Sequence, residues 1–131
     1  MKPEKDCVLY ETPISTHWFN ENGFFCVLSK NVDRTLENYQ KVMDVYKNAM
    51  TGNEKLCVLS DVTVGFRPMA KEVRLFVASE LPKYIKALAI ISEVKLNGTH
   101  VNTFLKLTFS GLPIQLFSNE NDAKEWLKDY L

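Results

Sequence analysis

Apolar residues in this chain form short runs, separated by longer segments in which apolar positions recur every three or four residues. The runs predict strands at residues 7–10, 14–19, 24–29, 56–60, 87–91 and 114–117. The sequence Asn-Glu-Asn-Gly at 20–23 predicts a hairpin turn between the second and third strands. The run at 56–60 contains no polar alternation, which is typical of a strand that is covered on both faces.

The segments with helical spacing lie between these strands. They predict helices at about 36–50, 68–80 and 99–109, and a last helix that follows Ser118. Thr35 and Ser118 are suitable N-caps, and Pro68 suits a first helical turn because its missing N–H is not needed there. The second helix is expected to stop before Pro82. The predicted buried face of the first helix consists of Leu36, Tyr39, Val42, Met43, Tyr46, Ala49 and Met50.

The order of these elements predicts the fold class. Strands that alternate with helices imply right-handed crossovers and a parallel core sheet. We therefore expect an α/β fold with a mixed β-sheet, in which parallel core strands follow an N-terminal antiparallel hairpin and about four helices pack on the sheet. No repeat or linker interrupts the sequence, so residues 1–131 are predicted to form a single domain.

Composition and charge narrow the range of partners. The chain is 46% hydrophobic and 24% charged, as in ordinary globular proteins, and its 16 basic and 16 acidic side chains cancel. Nucleic acid and anionic membranes are held mainly by surplus Lys and Arg, so neither is expected as a partner. The apolar runs are far shorter than the roughly 20 residues that span a bilayer. The charged N-terminus leads into no secretory apolar region, which predicts a cytoplasmic location.

Cysteine and histidine spacing favours no metal or catalytic centre. Cys7, Cys26 and Cys57 lack metal-type spacing, and the last two lie in apolar runs, which predicts buried free thiols. His17 and His100 are far apart, and neither has the spacing of a ligand set. The few glycines form no phosphate-binding loop. We therefore expect no catalytic residue, no metal and no cofactor.

The junction after the fourth predicted strand concentrates the candidate functional residues. An aspartate ends the strand, a loop follows, and basic residues line the start of the next helix. The carboxyl ends of strands are where ligand sites of α/β sheets tend to lie. The predicted interaction surface consists of Asp61, Thr63, Phe66, Arg67, Lys71 and Arg74.

Each of these residues also has a purely structural interpretation. Asp61 either takes part in a binding site or bonds N–H groups of the loop, and the Thr63 hydroxyl is either a phosphoryl acceptor or part of a turn. The basic residues either dock an acidic partner or form a solvated face, in which Arg74 pairs with Asp61 or Glu72. Arg74 is the first choice for docking, because a guanidinium can hold a carboxylate through two bonds. Phe66 belongs either to the core or to an apolar contact patch.

Several of these positions resemble a known family. Asp61 at the end of the central strand, Val73-Arg74 on the next helix, and Leu116-Phe117 followed by Ala123 and Trp126-Leu127 are similar to the bacterial single-domain STAS, or SpoIIAA-like, proteins with the anti-anti-sigma-factor fold. The similarity points to the small, largely uncharacterised branch of that family. It implies a SpoIIAA-like fold and a non-catalytic regulatory module that binds a protein partner.

The resemblance also implies a switch that this chain departs from. Anti-anti-sigma factors carry Asp-Ser-Ser-Gly, or a close variant, at the start of the helix, and a partner kinase phosphorylates a serine there. Residues 64–78 of this chain contain no Ser or Thr, so we expect no phosphorylation switch at that place. The alternative function is the carriage of a small apolar ligand or lipid, as in STAS/Sec14-like proteins. It predicts an enclosed apolar pocket of at least several hundred Å³. A homodimer is also possible, through an edge strand or an apolar face near Phe66.

Overall fold

A computed structural model of the protein describes residues 1–64, 67–92 and 111–131. Its strands and helices alternate along the chain after an opening group of three strands. The strands are β1 (Tyr10–Glu11), β2 (Ser15–Phe19), β3 (Phe25–Ser29), β4 (Leu56–Asp61), β5 (Ile85–Ile91) and β6 (Ile114–Phe117). The helices are α1 (Leu36–Ala49), α2 (Lys71–Tyr84) and α3 (Glu120–Leu127), and a short 3-10 turn, Lys128–Tyr130, follows the last of them.

The six strands form one mixed sheet in the order β1-β2-β3-β4-β5-β6. β1, β2 and β3 are antiparallel neighbours, and β3 to β6 run parallel. Gly23, with φ of +85°, occupies the turn between β2 and β3, which is the conformation that glycine adopts most readily. The predicted α/β class, the antiparallel hairpin and the parallel core are confirmed. The fourth predicted helix, at 99–109, lies outside the described residues.

The sheet separates two apolar layers. One layer contains the inner faces of α1 and α2, with residues such as Tyr46 and Val77, and the alternate strand residues Phe25 and Val58. The other layer contains α3 and the intervening strand residues, including Leu59. This two-sided burial explains why β4 and β5 read as continuous apolar runs. Cys26 and Cys57 are buried free thiols, as predicted.

The strand predictions are accurate except at the first strand. The other five strands begin and end within two residues of the predicted limits, but β1 comprises only Tyr10–Glu11 rather than 7–10. β1 lies at one end of the sheet order, with β2 as its neighbour. Val8 and Leu9 are exposed, so burial does not hold the segment before Tyr10 in regular pairing. An apolar run alone therefore overstated the length of this strand.

Two of the helix boundaries also differ from the predictions. Thr35 caps α1 as expected, accepting a hydrogen bond from the Asn38 N–H at 3.2 Å. α2 begins at Lys71 instead of at Pro68 and continues past Pro82 to Tyr84. Continuing through the proline buries Leu81 and packs Tyr84 against the core, which offsets the one backbone hydrogen bond that Pro82 removes. Leu36, the first residue of the predicted buried face of this first helix, is exposed.

The cap of the last helix is one residue later than predicted. Asn119, rather than Ser118, is the N-cap of α3, and its side-chain oxygen accepts a hydrogen bond from the Asp122 N–H at 2.9 Å. Ala123 and Leu127 are fully buried, whereas Trp126 and Tyr130 are partly buried. In the part of the chain that the structure describes, no helix has the length and hydropathy of a membrane-spanning segment.

Candidate interaction surface

Asp61 lies at the carboxyl end of β4, in the middle of the sheet, and organises the turn that follows. Its Oδ1 accepts hydrogen bonds from the Thr63 N–H at 2.9 Å and from the Thr63 hydroxyl at 2.7 Å. The Asp61 side chain is buried, and its Oδ2 lies 3.8 Å from the amino group of Met1. The interpretation that Asp61 bonds loop N–H groups is confirmed, and the Thr63 hydroxyl is part of the same turn.

Strand alternation separates Asp61 from the basic residues of α2. Side chains of successive strand residues point to opposite faces, so Asp61 follows Cys57 and Leu59 toward the layer that contains α3. α2 packs on the other face of the sheet. Of the described carboxylates, none forms an ion pair with Arg74, whose Nη1 instead donates to the Met69 carbonyl at 2.9 Å. The proposed pairing of Arg74 with Asp61 or Glu72 is therefore wrong.

Arg67 connects the loop after β4 to the loop after β3. Its Nη1 lies 2.6 Å from Asp33 Oδ1, and its Nε donates to Asn31 Oδ1 at 3.3 Å. β3 and β4 are parallel neighbours, so both loops leave the sheet at the same edge. The side chains of Arg67 and Asp33 are 49% and 81% exposed, which places the ion pair in solvent and limits its contribution to stability to about 1 kcal/mol or less. The ion pair bridges the two loops.

Lys71 and Arg74 lie in the first turn of α2 and are both exposed. Residues three apart on a helix share a face, so the two cations point in the same general direction. Among residues 1–64, 67–92 and 111–131, no carboxylate lies within ion-pair distance of either. Ala70, the N-cap of α2, provides no side-chain hydrogen bond to the helix. The first turn of this helix therefore carries two cations and one carboxylate, Glu72, and neither cation forms an ion pair with a described carboxylate.

Exposed apolar side chains accompany these charges. Val32 follows β3, Leu36 begins α1, and Val64 follows β4, with exposed fractions of 37%, 36% and 53%. We use the name carboxyl-edge surface for the loop 30–35, residues 62–64 and 67–70, and the first turn of α2. This surface combines exposed apolar groups with the cations of Arg67, Lys71 and Arg74 and the carboxylates of Asp33 and Glu72.

Phe66 and Gly65 lie outside the described residues, so the predicted contact role of Phe66 stays a prediction. The structure brings Arg67, Lys71 and Arg74 together at the start of α2 and leaves Asp61 and Thr63 in the adjoining turn. Sequence reasoning missed Asn31 and Asp33. The polar sequence Lys-Asn-Val-Asp-Arg-Thr after β3 was the available signal. This polar sequence could be assigned to the surface only after β3 was known to lie beside β4.

Titratable groups with strongly shifted pKa values lie in the core. Burial lowers the pKa of His17 to about 4 and raises the pKa of Cys26 to about 12. Burial also raises the pKa values of Tyr39 and Tyr46 on α1, and of Cys57 on β4. In each case desolvation is the largest cause, and it favours the neutral form of the group. In the described residues, no group of His, Cys, Asp and Glu has the arrangement of a metal site.

Two cavities of the described part lie away from the carboxyl-edge surface. The first, of about 210 Å³, is lined by residues that include Leu56, Lys86 and Cys57, at the opposite edge of the sheet. The second, of about 430 Å³, lies between β6 and α3, beside Trp126 and Tyr130. Both are open to solvent and have mixed polar and apolar linings. Neither is the enclosed apolar pocket that a lipid carrier requires, so the described residues lend that alternative no support.

The mixed sheet, with its antiparallel opening strands, parallel core and helices on both faces, is an α/β fold of the SpoIIAA-like type. A similar solved structure is that of an uncharacterised protein of the DUF3478 family with a SpoIIAA-like fold from Shewanella loihica PV-4. The two chains are 18% identical, the match covers 97% of this chain and 98% of that chain, and the TM-score is 0.61. The predicted resemblance in fold is thereby confirmed.

The chain belongs to the family described as a domain of unknown function, DUF7793, whose model matches residues 17–131. No curated protein matches the chain. Identity of 18% supports an inference about the fold alone, so any function must be argued from the residues of this chain.

The hydrogen bonds of Asp61 lead to a testable expectation for the stability of the turn. We expect Asp61→Ala to lower the free energy of unfolding by about 1–3 kcal/mol, because it leaves the Thr63 N–H and hydroxyl without their acceptor. Thr63→Val removes only the hydroxyl donor and serves as the matched control, with a smaller expected loss. Urea denaturation of the three proteins provides the measurement. Equal stability of Asp61→Ala and the wild type would contradict this role of Asp61.

Proposed function

We propose that this protein is a non-catalytic interaction module of the SpoIIAA-like type, which binds an acidic region of a protein partner at the carboxyl-edge surface. The observation that carries the proposal is the pair of exposed cations Lys71 and Arg74, neither of which forms an ion pair with a described carboxylate. Complementary charge guides encounter and selects partners, and the neighbouring Val32 and Val64 supply apolar contact area.

The position of Lys71 supports a functional reason for its charge. Lys71 is the first residue of α2, where the helix dipole is positive and a cation is unfavourable by a few tenths of a kcal/mol to about 1 kcal/mol. An acidic residue at this position would stabilise the helix, as Glu120 and Asp122 do in the first turn of α3. The lysine therefore opposes helix stability at a place where it can attract an acidic partner.

The environments of the reactive side chains support a role without catalysis. Functional acids and bases usually have shifted pKa values and lie in a cleft. His17, Cys26 and Tyr46 have shifted pKa values but are buried in the core. Cys57 lines the first cavity, but its raised pKa keeps the thiol protonated and weakly nucleophilic.

The proposed module is not switched by serine phosphorylation at the start of α2. The segment 64–78 has no hydroxyl residue. Thr63, the nearest hydroxyl before it, donates its proton to Asp61 Oδ1. Adding a phosphate to Thr63 would break this hydrogen bond and place about two negative charges beside a carboxylate, which is unfavourable.

Quantitative affinity enrichment from the source cell tests the proposal. The wild type is compared with the double variant Lys71→Glu/Arg74→Glu and with the control Lys47→Glu/Lys55→Glu, which reverses two exposed charges away from the carboxyl-edge surface. We expect proteins that the wild type and the control retain equally and the first double variant loses. Equal retention by all three would remove the carboxyl-edge surface as the binding site.

The ion pair between Arg67 and Asp33 provides a second test, of how the two loops are held. We expect Arg67→Asp to weaken partner binding about tenfold, because two carboxylates then repel each other at the junction of the loops. The exchange variant Arg67→Asp/Asp33→Arg restores an attractive pair and should recover affinity to within about threefold, as measured by calorimetry. If the exchange variant binds as weakly as Arg67→Asp alone, Arg67 contacts the partner and does not position the loops.

A further inference from the structure

His17 is a buried imidazole in the middle of β2, between the sheet and α1. It has no solvent exposure. Its ring stacks on Phe25 of β3, and the ring of Tyr46 of α1 meets it edge-on, with centroid distances of 5.5 Å in both cases. Sequence reasoning assigned His17 no role beyond the absence of ligand spacing.

The surroundings of the two ring nitrogens favour one protonated form of His17. Nε2 lies 2.7 Å from the Ser15 hydroxyl, which is itself 2.8 Å from the Thr12 hydroxyl. Nδ1 is buried and has no hydrogen-bond partner among the described residues, so a proton there would lack an acceptor, whereas a proton on Nε2 can be donated to Ser15 Oγ. We therefore assign the Nε2–H form to neutral His17, with Nδ1 as the unprotonated nitrogen.

Protonation of His17 would place a new N–H at Nδ1. This atom is buried and has no hydrogen-bond partner among the described residues. A buried donor without an acceptor and an unpaired buried charge are both costly. The aromatic rings on either side of the imidazole offer no carboxylate to balance the charge.

The charged groups around His17 do not compensate. Glu11 on β1 is exposed and already pairs with Lys30, which follows β3, at 3.1 Å. The phenols of Tyr10, Tyr39 and Tyr46 and the cation of Arg34 lie on the surrounding elements and are at least partly buried. The other charged residues of α1, Glu37, Lys41, Asp44 and Lys47, are exposed, and Cys26 of β3 belongs to the layer on the opposite face of the sheet. Burial is the main reason that the pKa of His17 falls to about 4, with Glu11 opposing the shift and Lys30 adding to it.

We propose that His17 is an acid-sensitive lock between β2 and α1, which holds the helix on the sheet while the imidazole is neutral and releases it when Nδ1 is protonated. The unfolded chain binds a proton near pH 6.5, whereas the folded chain resists protonation until about pH 4. Stability supplied by neutral His17 is thus complete above about pH 6.5 and is lost as the pH falls toward 4. Helix α1 is the element released, because Tyr46 is its contact with the imidazole.

Urea denaturation of the wild type and His17→Phe at pH 7.5 and pH 4.5 tests the lock. Phenylalanine keeps the ring packing and cannot titrate, and both proteins keep His100 and every carboxylate as a common background. Between these pH values we expect the unfolding equilibrium constant of the wild type to rise about 70-fold more than that of the variant. The same pH dependence in both proteins would overturn the proposal.

If His17→Phe does not fold, nuclear magnetic resonance of the wild type tests the proposal instead. The variant His100→Gln shows which of the two imidazole signals belongs to His17. We expect the His17 ring to be in the Nε2–H form and to remain neutral down to about pH 5. Amides of α1 should lose protection from hydrogen exchange at a higher pH than amides of β5. A ring that titrates above pH 6, an Nδ1–H form, or simultaneous loss of protection in α1 and β5 would each contradict the lock.

Discussion

Replacement of Phe25 by alanine is expected to lower the free energy of unfolding by about 3–5 kcal/mol. Phe25 has no solvent exposure and lies on β3 in the layer beneath α1. Its ring contacts four other rings, those of Tyr10, His17, Phe19 and Tyr46, with centroid distances from 4.8 to 5.9 Å. Truncation therefore removes apolar burial and several aromatic contacts together. Because domains of this size are stable by only about 5–15 kcal/mol, the loss is a large share of the total.

Phe19→Ala is the matched control for this prediction. Phe19 touches the same cluster, but its side chain is 40% exposed, so less apolar area is lost when it is truncated. Phe25→Leu should lie between the two, since leucine retains much of the buried volume. Chemical denaturation at pH 7.5 ranks the three variants. If Phe19→Ala and Phe25→Ala lost equal stability, the aromatic cluster would not be organised around Phe25.

The largest effect on binding is expected from charge reversal at the start of α2. For a partner identified by enrichment, we expect Lys71→Glu/Arg74→Glu to weaken the affinity at least 100-fold, because two attractive contacts become repulsive. Folding stability should stay equal or rise slightly, since glutamate at position 71 suits the helix dipole. Surface plasmon resonance at two salt concentrations, with thermal denaturation beside it, measures both quantities.

The control for this binding experiment is again Lys47→Glu/Lys55→Glu. This variant makes the same change in net charge, so it isolates the position of the charges from their number. The rate at which the wild type associates with the partner should fall with added salt. The association rate of Lys71→Glu/Arg74→Glu should depend little on salt. Equal affinities of the two double variants would contradict the assignment of the binding surface.

The sequence predicted the core of the fold well because burial leaves a direct mark on it. The run at 56–60 has no polar alternation because Leu59 and Val58 face two different apolar layers. The hairpin turn was also predictable, since Gly23 adopts a positive φ that few other residues tolerate. These features depend on neighbours in sequence or on burial alone.

Other features depend on elements that meet only in the folded chain. Helix α2 continues past Pro82 because the last turn packs Leu81 against the core, and this tertiary gain outweighs the local penalty. The contact of Arg67 with Asp33 joins residues 34 positions apart. Predicting this contact requires knowing that β3 and β4 are neighbours in the sheet.

The candidate site was therefore predictable in part. The basic residues at the start of α2 and in the loop before it were found because three cations recur within eight positions. The structural alternative in which Arg74 pairs with Asp61 was wrong, because strand alternation turns that carboxylate toward the opposite layer. The role proposed for His17 could not be predicted, since the burial of its ring and the lack of a partner for Nδ1 depend on elements that meet only in the folded chain.

Site-specific crosslinking in the source cell tests most directly whether the carboxyl-edge surface binds a protein. A photoreactive amino acid is placed at Val64, which is exposed beside Asp61, and in a second variant at Lys128, which is exposed after α3. We expect one discrete crosslinked protein from position 64, absent from position 128 and abolished by adding Lys71→Glu and Arg74→Glu. A crosslink at position 64 that persists with both charges reversed, or one that forms only at position 128, would contradict this binding surface.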